Sequence, residues 1–121
     1  MRLVTEKTGD VHLIRVKEDR LAYPMLAAFQ DEVRRLVDTE GARKLVIDLK
    51  EVAYVDSATI GCLIDIYRLL REKQGTLKLS GLQKRVETVL SMTGVHKVLE
   101  IHGEASEAVA AFGAPARRKR G

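Results

Sequence analysis

Along this chain the spacing of apolar residues switches repeatedly between a period of two and a period near 3.6, which predicts strands alternating with helices. Val11–Val16 alternates as a strand, paired with the shorter Leu3-Val4-Thr5 across a turn at Thr8-Gly9-Asp10. After Glu18-Asp19-Arg20, Pro24 suits the first turn of a helix whose apolar stripe is Leu26, Phe29, Val33, Leu36 and Val37 and whose end falls near Glu40-Gly41. Lys44–Leu49 reads as a buried strand, and Val52–Val55 as a second strand-like run leading into a helix from Ser57 to Gln74, stopped by Gly75. The wide apolar surface of that helix, with Ile60, Leu63, Ile64, Tyr67 and Leu70, calls for burial against a sheet. Thr76–Ser80 follows as a strand, Gln83–Thr93 as a helix with Val86, Val89 and Leu90 inward, Val98–Ile101 as a last strand and Ala105–Phe112 as a closing helix. Strands separated by helices need crossover connections. The expected fold is therefore α/β: a mixed, mainly parallel sheet with an N-terminal antiparallel hairpin strand and helices packed over it.

A chain of 121 residues can build one core but hardly two, so residues 1–112 are expected to form a single domain and residues 113–121 a basic tail. The net charge of +4 suggests a polyanion partner, yet Arg117, Arg118, Lys119 and Arg120 carry all of the excess. Without them, 17 basic residues face 17 acidic ones, and aromatics make up only 4% of the chain, which disfavours a folded surface specific for nucleic acid. The tail after Gly113-Ala114-Pro115 is expected to be a disordered, solvated end, with a contact to anionic lipid or nucleic acid as its functional alternative. No run is long and apolar enough to span a bilayer, and the N-terminus has no apolar block of the secretory kind. With a lone cysteine besides, a cytosolic location is expected.

Candidate chemistry concentrates at one junction. Asp56-Ser57 falls where the strand-like run meets the second helix, which sets Ser57 at or beside the helix N-cap with an exposed hydroxyl. A helix start also tolerates added negative charge, because its unpaired amides and macrodipole are positive. Asp56 is expected to hold the turn or to orient that hydroxyl. An enzyme of its own is not expected: Cys62 lies inside an apolar run, His12, His96 and His102 are scattered, and no Gly-rich loop leads to Lys-Ser or Lys-Thr. No cofactor or metal is expected.

The Asp56-Ser57 turn, the fitting Ile60 and Gly61, and the later Ser91-Met92-Thr93-Gly94-Val95-His96-Lys97-Val98 together resemble the STAS domain family, and within it the bacterial anti-sigma factor antagonists. The resemblance covers the chain up to about Phe112. It implies that Ser57 is phosphorylated by an anti-sigma factor with serine kinase activity, which brings ATP and magnesium. A serine phosphatase resets the switch, and Asp56, Ser57, Ala58, Thr59 and Gly61 form the partner-binding loop. Thr59 ranks second as acceptor, a first-turn residue whose branched side chain is expected to crowd the partner-facing surface. Ala58 and Thr59 depart from the family pattern of Ser or Thr then Gly, and Ala22 replaces an acid in Asp19-Arg20-Leu21-Ala22. The alternative reading is a non-phosphorylated STAS scaffold in a sensory or lipid-transport assembly.

Overall fold

The structure, a computed structural model, describes residues 1–113; the basic run Arg117 to Arg120, with the tail it belongs to, lies outside the described residues. The main sheet has five strands in the order β1 (Leu3–Thr8), β2 (Val11–Val16), β4 (Lys44–Asp48), β6 (Thr76–Ser80), β7 (Glu100–His102). Strands β1 and β2 pair antiparallel, with Thr8 opposite Val11 around the two-residue turn Gly9-Asp10. Gly9 has φ +61°, the left-handed geometry that such a tight hairpin requires. All other neighbours in this sheet pair parallel.

Each parallel step is bridged by a helix. α1 (Leu26–Thr39) joins β2 to β4, α2 (Ser57–Glu72) joins β4 to β6, and α3 (Lys84–Thr93) joins β6 to β7. Their apolar stripes meet Ile14, Val16, Leu45, Ile47, Leu77 and Leu79 in one core cluster. α4 (Ala105–Gly113) covers the opposite face, where Ala108 packs with Val11, Leu13 and Val46. Because successive side chains of a strand point to opposite faces, covering both sides explains why Leu45-Val46-Ile47 is apolar without interruption. Lys78 is the costly exception on the α4 face. It is buried, and its ammonium is compensated by Glu100 and by the ring of Phe112, 4.7 Å away.

The structure departs from the sequence expectations in five places. A second, two-stranded parallel sheet forms from β3 (Arg20–Leu21) and β5 (Tyr54–Val55). Strands of two residues are too short to carry any periodicity, and only Tyr54-Val55 of the Val52–Val55 run pairs. The turn at Pro24 is a 3₁₀ turn, Tyr23–Met25, preceding α1. The second helix ends at Glu72 with Lys73 as its C-cap, and Gln74, not Gly75, takes the left-handed conformation at φ +64°. Gly75 is required for another reason: a Cβ there would lie 2.5 Å from the Arg43 carbonyl oxygen. Finally, β1 runs on to Thr8, whereas the last strand starts at Glu100, because Val95–Lys97 coils into a 3₁₀ turn and leaves Val98 exposed.

Candidate functional site: the start of the second helix

The site begins with a backbone requirement. Asp56 is extended at φ −113° and ψ −178°, the geometry of a residue just outside a helix, so Asp56 itself is the N-cap of α2. Ser57, expected at or beside the N-cap, stands beside it. Ser57 is the first helical residue; it is exposed, and its hydroxyl makes no hydrogen bond among the described residues. The cap is reciprocal, because Asp56 Oδ1 accepts from the Thr59 amide at 3.0 Å while the Asp56 amide faces Thr59 Oγ1 at 3.5 Å.

Asp56 also reaches out of the helix. Its Oδ2 accepts the Tyr23 amide at 3.0 Å, and this bond, followed by those from Thr59, holds the carboxyl below the ordinary carboxylate range. Thr59 Oγ1 lies 2.5 Å from the Leu21 carbonyl oxygen and 2.8 Å from Asp56 Oδ1. The β3–β5 pairing and the bonds from the Ala53 and Tyr54 amides to the Asp19 carbonyl complete a strap between residues 19–23 and 53–59. Thr59 is completely buried in it. Its branched side chain therefore faces inward and does not crowd the outer surface, contrary to the sequence expectation.

Beside this strap lies an open groove of about 500 Å³ between the starts of α1 and α2, walled by Tyr23, Pro24 and Asp65 and floored by Ala58, Gly61 and Cys62. Tyr23 is 73% exposed, unusual for so large a side chain. Gly61 is exposed inside a helix, and a Cβ built on it meets nothing within 4 Å. Nothing among the described residues demands glycine there. Cys62 is buried, and that burial, then Asp65, pushes its thiol up to about 11, so it stays neutral and unreactive near pH 7.

The remaining candidates do not converge on this place. His12 is buried under the end of α1, 3.7 Å from Glu40; His96 is exposed in the turn after α3; His102 sits on β7 beside Glu100. Of the Ser91–Val98 segment, Gly94 ends α3 at φ +80°, Val95 is buried, and Met92 is exposed. Ala22, in the position where an acid was expected, is buried, and the tie between this segment and the Ser57 turn comes instead from the Tyr23 amide. Sequence reasoning missed Tyr23, Asp65 and the Leu21 carbonyl. Only the Tyr23-Pro24 pair, an aromatic held beside a rigid turn, offered a signal.

Known proteins share this architecture. The chain is 39% identical over 57 residues to the anti-sigma-B factor antagonist of Listeria monocytogenes, covering 47% of this chain and 50% of that protein. The corresponding antagonist of Bacillus subtilis is 29% identical over 70 residues, 58% of this chain and 64% of its own length. The chain thus spans between half and two thirds of the curated relatives it matches. An anti-sigma-factor antagonist (STAS) domain protein from Planctomyces limnophilus superimposes with a TM-score of 0.83 at 21% identity, covering 93% of this chain and 98% of that one, which is a likeness of fold. Among the described residues no helix is long and apolar enough to cross a membrane. The model of the STAS domain matches residues 2–108, and with the hairpin, the crossover helices and the Asp56-Ser57 helix start in place, the chain belongs to the STAS domain family.

Proposed function

We propose that this protein is an anti-sigma factor antagonist switched by phosphorylation of Ser57. In the unmodified state the Ser57 turn and the adjoining groove bind an anti-sigma factor that is also a serine kinase, and the sigma factor is set free. Transfer of phosphate to Ser57 adds about −1.5 to −2 charges next to Asp56, which disfavours the contact by repulsion and desolvation. A serine phosphatase restores the binding form. The observation that carries the reading is an exposed, internally unbonded hydroxyl on the first residue of a capped helix, beside an open groove. The curated relatives named as antagonists of anti-sigma factors support the same partner class.

The local physics is compatible with modification. Asp56 takes only the Thr59 amide of the first turn, so the amides of Ser57 and Ala58 remain to face a phosphate, and the helix dipole favours it. The fold is then spared while the interface is not. The test is incubation with a cognate anti-sigma kinase and ATP, followed by mass spectrometric mapping and calorimetric titration of both forms. Phosphate on Ser57 with loss of affinity is expected. Wild-type levels of phosphate on a Ser57→Ala variant would overturn the assignment.

A further inference from the structure

We propose that Thr59 is a positioning residue for Ser57: its buried hydroxyl ties the Asp56 carboxylate to the Leu21–Tyr23 segment and so fixes the helix start on which the reacting hydroxyl stands. This inference rests on the assignment of Ser57 as phosphoacceptor. Thr59 has no surface through which it could itself be modified in the folded state. Its one hydroxyl proton serves two acceptors, the Leu21 carbonyl at 2.5 Å and Asp56 Oδ1 at 2.8 Å. Asp56 in turn holds the Tyr23 amide through its other oxygen. The ring of contacts runs from Leu21 to Thr59, to Asp56, to Tyr23 and back along the chain, and Ser57 lies between two of its members.

A short polar side chain is needed for such a closure. Glycine at position 59 would leave the Asp56 amide and the Leu21 carbonyl without the hydroxyl and free the first turn to fray. Valine has the shape of threonine but no proton to give, and it would set an apolar group against a carbonyl and a carboxylate oxygen. Serine keeps the proton. Phosphoryl transfer depends on holding the attacking oxygen in line with the phosphorus, and a misplacement near 1 Å costs about a hundredfold in rate. Docking, by contrast, uses the groove farther along α2, where Ala58, Gly61 and Asp65 are carried by the helix itself.

The experiment compares wild type, Thr59→Val and Thr59→Ser as substrates of the cognate kinase, with amide hydrogen exchange of the isolated proteins as the second readout. Thr59→Val is expected to lower kcat for phosphorylation of Ser57 by at least about tenfold and to change KM by less than about threefold. Exchange at the Tyr23 and Thr59 amides is expected to quicken by a similar factor, while the core strands stay protected. Thr59→Ser should restore both readouts to near the wild-type values. A wild-type kcat in Thr59→Val, or a Thr59→Ser variant as impaired as Thr59→Val, overturns the positioning role alone. Absence of phosphate on Ser57 in the wild type overturns the assignment of Ser57 and, with it, this inference.

Discussion

α2 and α3 leave the same end of the sheet, each after a parallel strand, yet they begin in different ways. The start of α2 is capped by Asp56 and Thr59 and strapped to residues 19–23, whereas α3 starts at Gln83 without any side-chain cap. Gln83 spends its amide on the Lys50 carbonyl instead, at 2.9 Å. Both helices bury their stripes in the same core. A crossover helix in this fold therefore needs packing, not a cap, and the extra bonds at α2 tie down the helix start that carries Ser57. The rigidity is local. It is placed at the hydroxyl that the proposed function has another protein recognise.

The two helix starts should differ most at Asp56. Asp56→Ala removes the cap, takes the acceptor from the Tyr23 amide and leaves the Thr59 amide only the Asp56 backbone carbonyl, with an expected loss of about 2 kcal/mol in urea unfolding. Gln83→Ala, the matching change at α3, should cost no more than about 0.5 kcal/mol. Equal losses at the two sites would mean that the strap contributes nothing beyond an ordinary helix start.

Acid tests the same carboxylate without deleting it. The bonds from Tyr23 and then Thr59 lower the folded-state pKa of Asp56. Its contribution is therefore complete above the unfolded-state value near 4 and is lost as the pH falls through the lower folded-state value. Thermal unfolding followed from pH 6 to pH 2 should show that Asp56→Asn loses less stability than wild type over the acid part of that range. Glu40, Glu51 and Glu100 are also held low by their cationic partners, so both proteins weaken and only the difference reports on Asp56.

Gly61 sharpens the contrast between what the fold needs and what a partner needs. Alanine is the better helix former by about 1 kcal/mol, and the added methyl meets nothing within 4 Å among the described residues. Gly61→Ala should raise the unfolding midpoint while weakening binding of the anti-sigma factor, because the methyl stands in the floor of the groove. Calorimetric titration that finds undiminished affinity would remove Gly61 from the interface.

How far the sequence could be read follows from the length of each pattern. α1 and α2 carry stripes of five apolar residues and β2 and β4 near-continuous apolar runs, so the alternation of strand and helix, and hence a mainly parallel sheet, was legible from Val11 onward. The helix start was legible as a place, through Asp56-Ser57, but not as a mechanism. Which of two adjacent polar residues caps a helix depends on one ψ angle, and no spacing rule records it. β3 and β5 are two residues each, so the strap that joins Leu21 and Tyr23 to Asp56 is a tertiary fact of segments 33 residues apart. Thr59 misled for the same reason: its position after Ser57 suggested an outward residue, whereas the 100° step of the helix turns it under the strap.

The smallest expected effect is at Ser57 itself. Since Asp56 supplies the cap and the Ser57 hydroxyl has no partner among the described residues, Ser57→Ala should change stability by less than about 0.5 kcal/mol. The alanine variant should still bind the anti-sigma factor, as no charge is added, and should not be released on addition of ATP. Ser57→Asp places a carboxylate where the helix dipole welcomes it, so stability should again hold, while the second negative charge next to Asp56 should weaken binding, though by less than a phosphate would. Urea unfolding and calorimetry on the two variants separate the roles. A clear destabilisation in Ser57→Ala would show that the hydroxyl belongs to the strap after all, and the division between a fixed cap and a free acceptor would then fail at the residue that defines it.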